Sequence, residues 1–203
     1  MKLINILKIF AFFLIIFLWP FSYLLNNGLE FKAPTTNIFQ TERDEREFIL
    51  QKGYLYPTVW MSRLFQNKTN VIVNKFEANF FALIDPNNYF FHFHPREILI
   101  DNQNLDKFPF LSIVFFIIGL YNIPKYKYLR YLSFLFLIEV FFLSFLKNFD
   151  KFDLILYPVL AIIIISGLLR FFKKLNFFRF GFLLIFIIFT LIQYLHILVR
   201  SLI

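Results

Sequence analysis

The sequence predicts an all-α integral membrane protein with five transmembrane helices and a small helical external module between spans one and two. Three observations carry this prediction. Hydrophobic residues make up 59% of the 203 and charged ones 17%, against about 45–50% and about 25% in a soluble domain. Five stretches are apolar, or nearly so, over the roughly 17–25 residues that a spanning helix needs. Basic and acidic residues then alternate from one connection to the next, in step with those stretches. The 34 phenylalanines exceed what a single soluble core of this length absorbs. Together these features exclude a soluble globular enzyme, a disordered tail and a nucleic-acid-binding module. With no cysteine in the chain, disulfides, thiolate metal sites and cysteine nucleophiles are excluded as well.

The first span covers residues 4–25, with Lys8 near its start and Trp19 and Tyr23 towards its end. Its last turns read Trp19-Pro20-Phe21-Ser22-Tyr23, with no small-x-small cleavage pattern, so it is expected to be a retained anchor. The second span, 108–123, is the shortest; a re-entrant segment is the other reading, and the charge pattern favours a crossing. The third covers 128–146, the fourth 154–172 and the fifth 177–199. The expected division is an anchor at 1–25, an external module at 26–107 and a four-span domain at 108–203.

Charge sets the orientation. Lys125, Lys127 and Arg130 lie between spans two and three, and Arg170, Lys173, Lys174 and Arg179 between four and five, without an acid among them. Lys2 and Lys8 begin the chain. By contrast, Asp150 and Asp153 lie between spans three and four, and ten of the 13 acids lie between one and two. The positive-inside rule then gives a multi-pass protein of the cell (plasma or inner) membrane, with a cytoplasmic N-terminus and an external C-terminus. The net charge of +8 is a topology signal and implies no nucleic-acid partner.

The segment 26–107 is longer than a connection needs and is expected to fold. A short helix is predicted over 41–53: Thr41 as N-cap, acids in the first turn, Lys52 in the last and Gly53 to close it. Residues 54–60 hold Pro57 and are expected to be extended. A second helix is predicted over 70–84, with Ile72, Val73, Phe76, Phe80, Leu83 and Ile84 on one face and Asn74, Lys75, Glu77 and Asn79 elsewhere. Asp85-Pro86-Asn87-Asn88 stops it.

Four groups of residues bear on chemistry. His92 and His94 on an extended strand would share a face, as metal ligands must, but a zinc site needs further ligands that spacing does not select. The other reading is that His94, Arg96 and Glu97 form a polar clamp on the loop entering span two. Glu139 is the one acid inside a span, where charge is costly and marks either function or a helix–helix tie. Gln193 is its expected partner, with Tyr157 or His196 as others. Asp44 and Glu45 sit in the first external loop, where a general base or metal ligand is conceivable, yet Arg43 and Arg46 pair them within a solvated helix start. Finally, Pro158 and Gly167 hint at irregularity in span four. Asn67-Lys68-Thr69 is a formal glycosylation sequon, and no cofactor is implied.

Arg63-Leu64-Phe65-Gln66-Asn67-Lys68, Asp85-Pro86-Asn87-Asn88-Tyr89-Phe90-Phe91, His94-Pro95-Arg96-Glu97, Lys107-Phe108-Pro109 and Ile118-Gly119-Leu120-Tyr121 together resemble uncharacterised polytopic membrane proteins of candidate-phyla-radiation bacteria. Over about residues 60–125 the chain is also similar to the external segment and following spans of dolichyl-phosphate-mannose mannosyltransferase-like proteins. That resemblance implies a cell-envelope role near lipid-linked sugars. Those enzymes carry many more spans and a catalytic half before this segment, where a single anchor stands here.

The expected function is that of a non-catalytic cell-envelope protein whose external module binds a partner protein or a lipid head group. Arg63, Lys68, His94, Arg96 and Glu97 are the expected polar contacts, and Tyr54, Tyr56, Trp60, Tyr89, Phe90 and Phe91 the exposed aromatic ones. Arginine suits phosphate because its planar fork pairs two oxygens at once. The alternative is an enzyme, or enzyme subunit, related to polyprenyl-phosphate-sugar-dependent glycosyltransferases, with Asp44 or Glu45 as the acid and a polyprenyl-phosphate lipid as partner.

Overall fold

A computed structural model describes residues 2–27, 38–39, 58, 60, 68–91, 106–146, 153–173 and 176–202. All regular elements among them are helical: α1 (Lys2–Asn27), α2 (Lys68–Ile84), α3 (Asn87–Phe90), α4 (Ser112–Asn122), α5 (Lys127–Leu143), α6 (Tyr157–Phe171) and α7 (Phe177–Leu202). Short 3-10 turns, Ile123–Lys125 and Asp153–Leu156, follow α4 and precede α6. Two helices are long and apolar enough to cross a membrane, over Ile4–Leu25 and Phe177–Arg200. At about 1.5 Å per residue the shorter apolar helices α4 and α6 fall below the roughly 30 Å of a hydrocarbon core. The predicted helix at 41–53 lies outside the described residues.

The chain divides into two compact units: Met1–Phe31, Asp85–Leu137 and Ile155–Ile203 form the first, and Lys32–Ile84 with Ile138–Leu154 the second. In the first unit, α4 and α6 run parallel at close quarters. Phe108, ahead of α4, stacks on Tyr157 at the start of α6, while Asn122 at the end of α4 meets Arg170 at the end of α6. Glycine permits this. A Cβ on Gly119 would overlap the Ile163 carbonyl, and one on Gly167 would overlap the Phe115 carbonyl. Gly167 therefore marks a helix contact rather than the irregularity expected from sequence. Pro158 is regular too, since it sits in the first turn of α6, where its missing N–H has no intrahelical partner to lose.

Helix α1 runs antiparallel to α6. The Lys8 ammonium donates to the Phe172 carbonyl at the end of α6 (3.1 Å), and Trp19 lies edge-on to Tyr157 at its start. Pro20 sits inside α1 and removes the N–H that would bond the Ile16 carbonyl. The Tyr157 hydroxyl supplies the missing donor to that carbonyl. Tyr194 of α7 likewise donates to the Leu14 carbonyl (3.0 Å) and packs on Phe21. Leu129 of α5 joins Val159 and Ile163 of α6 in a buried cluster flanked by Phe116, Leu132 and Phe136.

The second unit centres on Phe76 of α2, whose ring meets Phe80, Phe141 and Phe145. Asn79 departs from the sequence reading, which placed it off the apolar stripe. It is fully buried, and its amide donates to the Ser144 and Leu146 carbonyls, both at 2.9 Å. The carbonyls at the end of α5 have no intrahelical donors, so a buried amide there caps them. Val73 and Ile84, expected in the stripe, are instead exposed.

Candidate functional site

The segment leading into α4 is fixed from three directions within the first unit. The Asp106 N–H donates to Ser22 Oγ of α1 (3.0 Å), and the Phe108 N–H donates to the Tyr89 carbonyl of α3 (3.0 Å). Between them, the fully buried Lys107 donates its ammonium to Asn88 Oδ1 and lies over the Trp19 and Tyr89 rings at 5.5 and 5.6 Å. A buried cation is tolerable only with such partners. Asn88 is itself placed by the turn expected from Asp85-Pro86-Asn87-Asn88, in which Asp85 Oδ1 accepts from the Asn87 N–H (2.9 Å). The Phe110 N–H then reaches Gln193 Oε1 on α7 (3.3 Å).

These fastenings shape a cavity of about 400 Å³ between the lead-in and α7. Its polar lining is Asp106, Thr190, Gln193, His196 and Arg200, and its apolar lining includes Phe110, Leu111, Phe189 and Ile192. Gln193, His196 and Arg200 recur at helical spacing, so α7 presents them along one side. Thr190 is turned inward, its hydroxyl donating to the Phe186 carbonyl (2.7 Å). One wall thus offers an acid, an amide, an imidazole and a guanidinium, and the other offers hydrocarbon. Such a cavity suits an amphipathic ligand with an anionic or hydroxyl-bearing head.

A second cavity of about 460 Å³ lies at the opposite end of the same unit, where α4 and α6 finish and α5 begins. Asn122, Tyr126, Tyr128, Ser166, Leu169, Arg170 and Lys173 line it. Around this end Lys125 sits over the Tyr121 ring at 4.0 Å and Lys127 over Tyr131 at 5.9 Å.

Most ligand residues expected from sequence fall elsewhere. His92, His94, Arg96, Glu97, Arg63, Asp44, Glu45, Tyr54 and Tyr56 lie outside the described residues. Lys68 is exposed at the start of α2. Trp60 and Phe91 are exposed as expected, but Tyr89 and Phe90 are 3% and 1% exposed, because Trp19, Phe108 and Phe116 cover them. Glu139 Oε2 in the second unit is buried without a hydrogen-bond partner, and Tyr157, one of its expected partners, serves Ile16. Among the described residues no three His, Asp or Glu side chains come together as metal ligands do.

Sequence reasoning missed Asp106 and Arg200 as site residues. The visible signal was the polar spacing Gln193, His196, Arg200 on an otherwise apolar helix. Comparison with protein families, with curated proteins and with solved structures yields no match.

Proposed function

We propose that this chain is a five-span cell-membrane protein whose outward-facing cavity binds the phosphate-bearing head group of a lipid. The observation that carries the reading is the pairing, in one cavity, of Asp106, Gln193, His196 and Arg200 with a wall of Phe110, Leu111, Phe189 and Ile192. Arg200 and His196 suit phosphate oxygens, Asp106 and Gln193 accept from head-group hydroxyls, and the apolar wall takes the first carbons of the chain.

Several features support placement in a bilayer. Helix α7 exposes Ile185, Ile188, Phe189, Ile192 and Leu195, and α5 exposes Phe134, Leu135, Leu137, Phe141 and Phe142. Apolar faces of that extent call for lipid or protein cover. In the first unit α4 and α6 share the height of α1, from Lys8 beside Phe172 to Trp19 beside Phe108 and Tyr157. The short helices are lengthened by the 3-10 turns at Ile123–Lys125 and Asp153–Leu156. The end rich in lysine and arginine is assigned to the cytoplasm by the positive-inside rule, which turns the Asp106–Arg200 cavity outward.

The test is native mass spectrometry of the full chain released gently from its membranes. Wild type is expected to retain a phosphate-bearing lipid, and the His196→Ala, Arg200→Ala double variant to retain at least tenfold less at an unchanged unfolding temperature. Equal retention by the variant, or a bare wild-type protein, removes the reading. A polyprenyl-phosphate sugar as the retained species would favour the glycosyltransferase-related alternative.

A further inference from the structure

The cavity at the opposite end of the first unit has a different chemistry. Two cationic side chains, Arg170 and Lys173, line it without an acid, together with the hydroxyl-bearing Tyr126, Tyr128 and Ser166. Arg170 is held in place: its guanidinium donates to Oδ1 of the buried Asn122 and lies over the Tyr121 ring at 5.6 Å. A guanidinium has five N–H donors in a rigid fork, so fixing one edge orients the rest. Lys173 follows the last turn of α6, and Lys125 shares the Tyr121 ring with Arg170. Two cations converging on one concavity repel each other, and an anion between them relieves that repulsion.

We infer that this cavity is a phosphate site, and that its natural occupant is the head group of an anionic glycerophospholipid. The lipid source follows from the rim. Leu169 lines the same cavity and is 62% exposed, and Tyr128 is 52% exposed. A free phosphate has no use for that apolar edge, whereas the glycerol and first acyl carbons of a lipid lie along it. Basic pockets at the ends of membrane helices are suited to such head groups. The site is separate from the outer cavity and depends on the membrane reading alone.

The test uses the full-length protein in a neutral detergent, with phosphatidylglycerol, phosphatidylcholine or inorganic phosphate added and the unfolding temperature and lipid adducts recorded. Phosphatidylglycerol is expected to bind and raise the unfolding temperature, with phosphatidylcholine at least tenfold weaker. Arg170→Gln and Lys173→Ala should each weaken phosphatidylglycerol at least tenfold. Lys173 is exposed, so its variant remains informative if Arg170→Gln fails to fold. Equal response to both lipids, or wild-type affinity in Lys173→Ala, overturns the proposal. Full protection by inorganic phosphate at the same concentration overturns the lipid assignment. The His196→Ala, Arg200→Ala variant should keep the response; its loss would place the binding in the outer cavity and overturn this site.

Discussion

Between α4 and α6 the backbones touch at Gly119 and Gly167, whereas α1 and α7 meet through Tyr194, which bonds the Leu14 carbonyl and packs on Phe21. Helix α7 has a glycine of its own, Gly181, but a Cβ there would meet nothing within 4 Å. The difference is physical. In lipid, burying a leucine against another helix gains little over burying it against acyl chains, so association relies on close packing and on hydrogen bonds. The α4–α6 pair uses the first and leaves no room for growth. The α1–α7 pair uses the second and leaves room.

The largest expected effect tests the close-packed pair. Gly167→Leu forces a side chain into the Phe115 carbonyl, and overpacking of that kind costs about 3 kcal/mol or more. The variant is expected to unfold in detergent far below wild type, and normal stability would show that the two backbones are not in contact. An intermediate effect tests the hydroxyl strategy, at the α1–α6 contact. Tyr157→Phe strips the donor from the Ile16 carbonyl that Pro20 left bare, a loss of about 1–2 kcal/mol. Adding Pro20→Ala restores an N–H in register with that carbonyl. A thermal-unfolding double-mutant cycle should therefore show Tyr157→Phe costing little once Pro20→Ala is present, and strict additivity would refute the link. The smallest effect sharpens the contrast. Gly181→Ala fills open space and stiffens the chain, so it should raise stability by about 0.5 kcal/mol; a clear loss would mean that α7 has a close neighbour at Gly181.

How far these contacts were legible in the sequence varies by region. Apolar runs located α1 and α7 to within a few residues, because long uninterrupted hydrophobic stretches leave the backbone no choice but helix in lipid. The turn after α2 was legible from Asp85-Pro86-Asn87-Asn88. Gly167 was visible but misread, since a glycine has no side chain to announce a neighbour. Asn79 and Lys107 were read by their polarity as solvent-facing or loop residues. Both are buried, because each found partners remote in sequence: the end of α5 for Asn79, and Asn88 with Trp19 for Lys107.

Composition and charge order thus determined, by themselves, that the chain is helical and apolar, where its longest helices run and which connections are basic. These are properties of short windows, set by hydrogen-bond satisfaction and transfer from water. The cavities were decided only by tertiary structure. Asp106 meets Gln193, His196 and Arg200, and Asn122 meets Arg170, across separations that no local pattern encodes. Tyr157 and Pro20 show the same division: the proline was plain in the sequence, but the hydroxyl that compensates for it arrives from another helix.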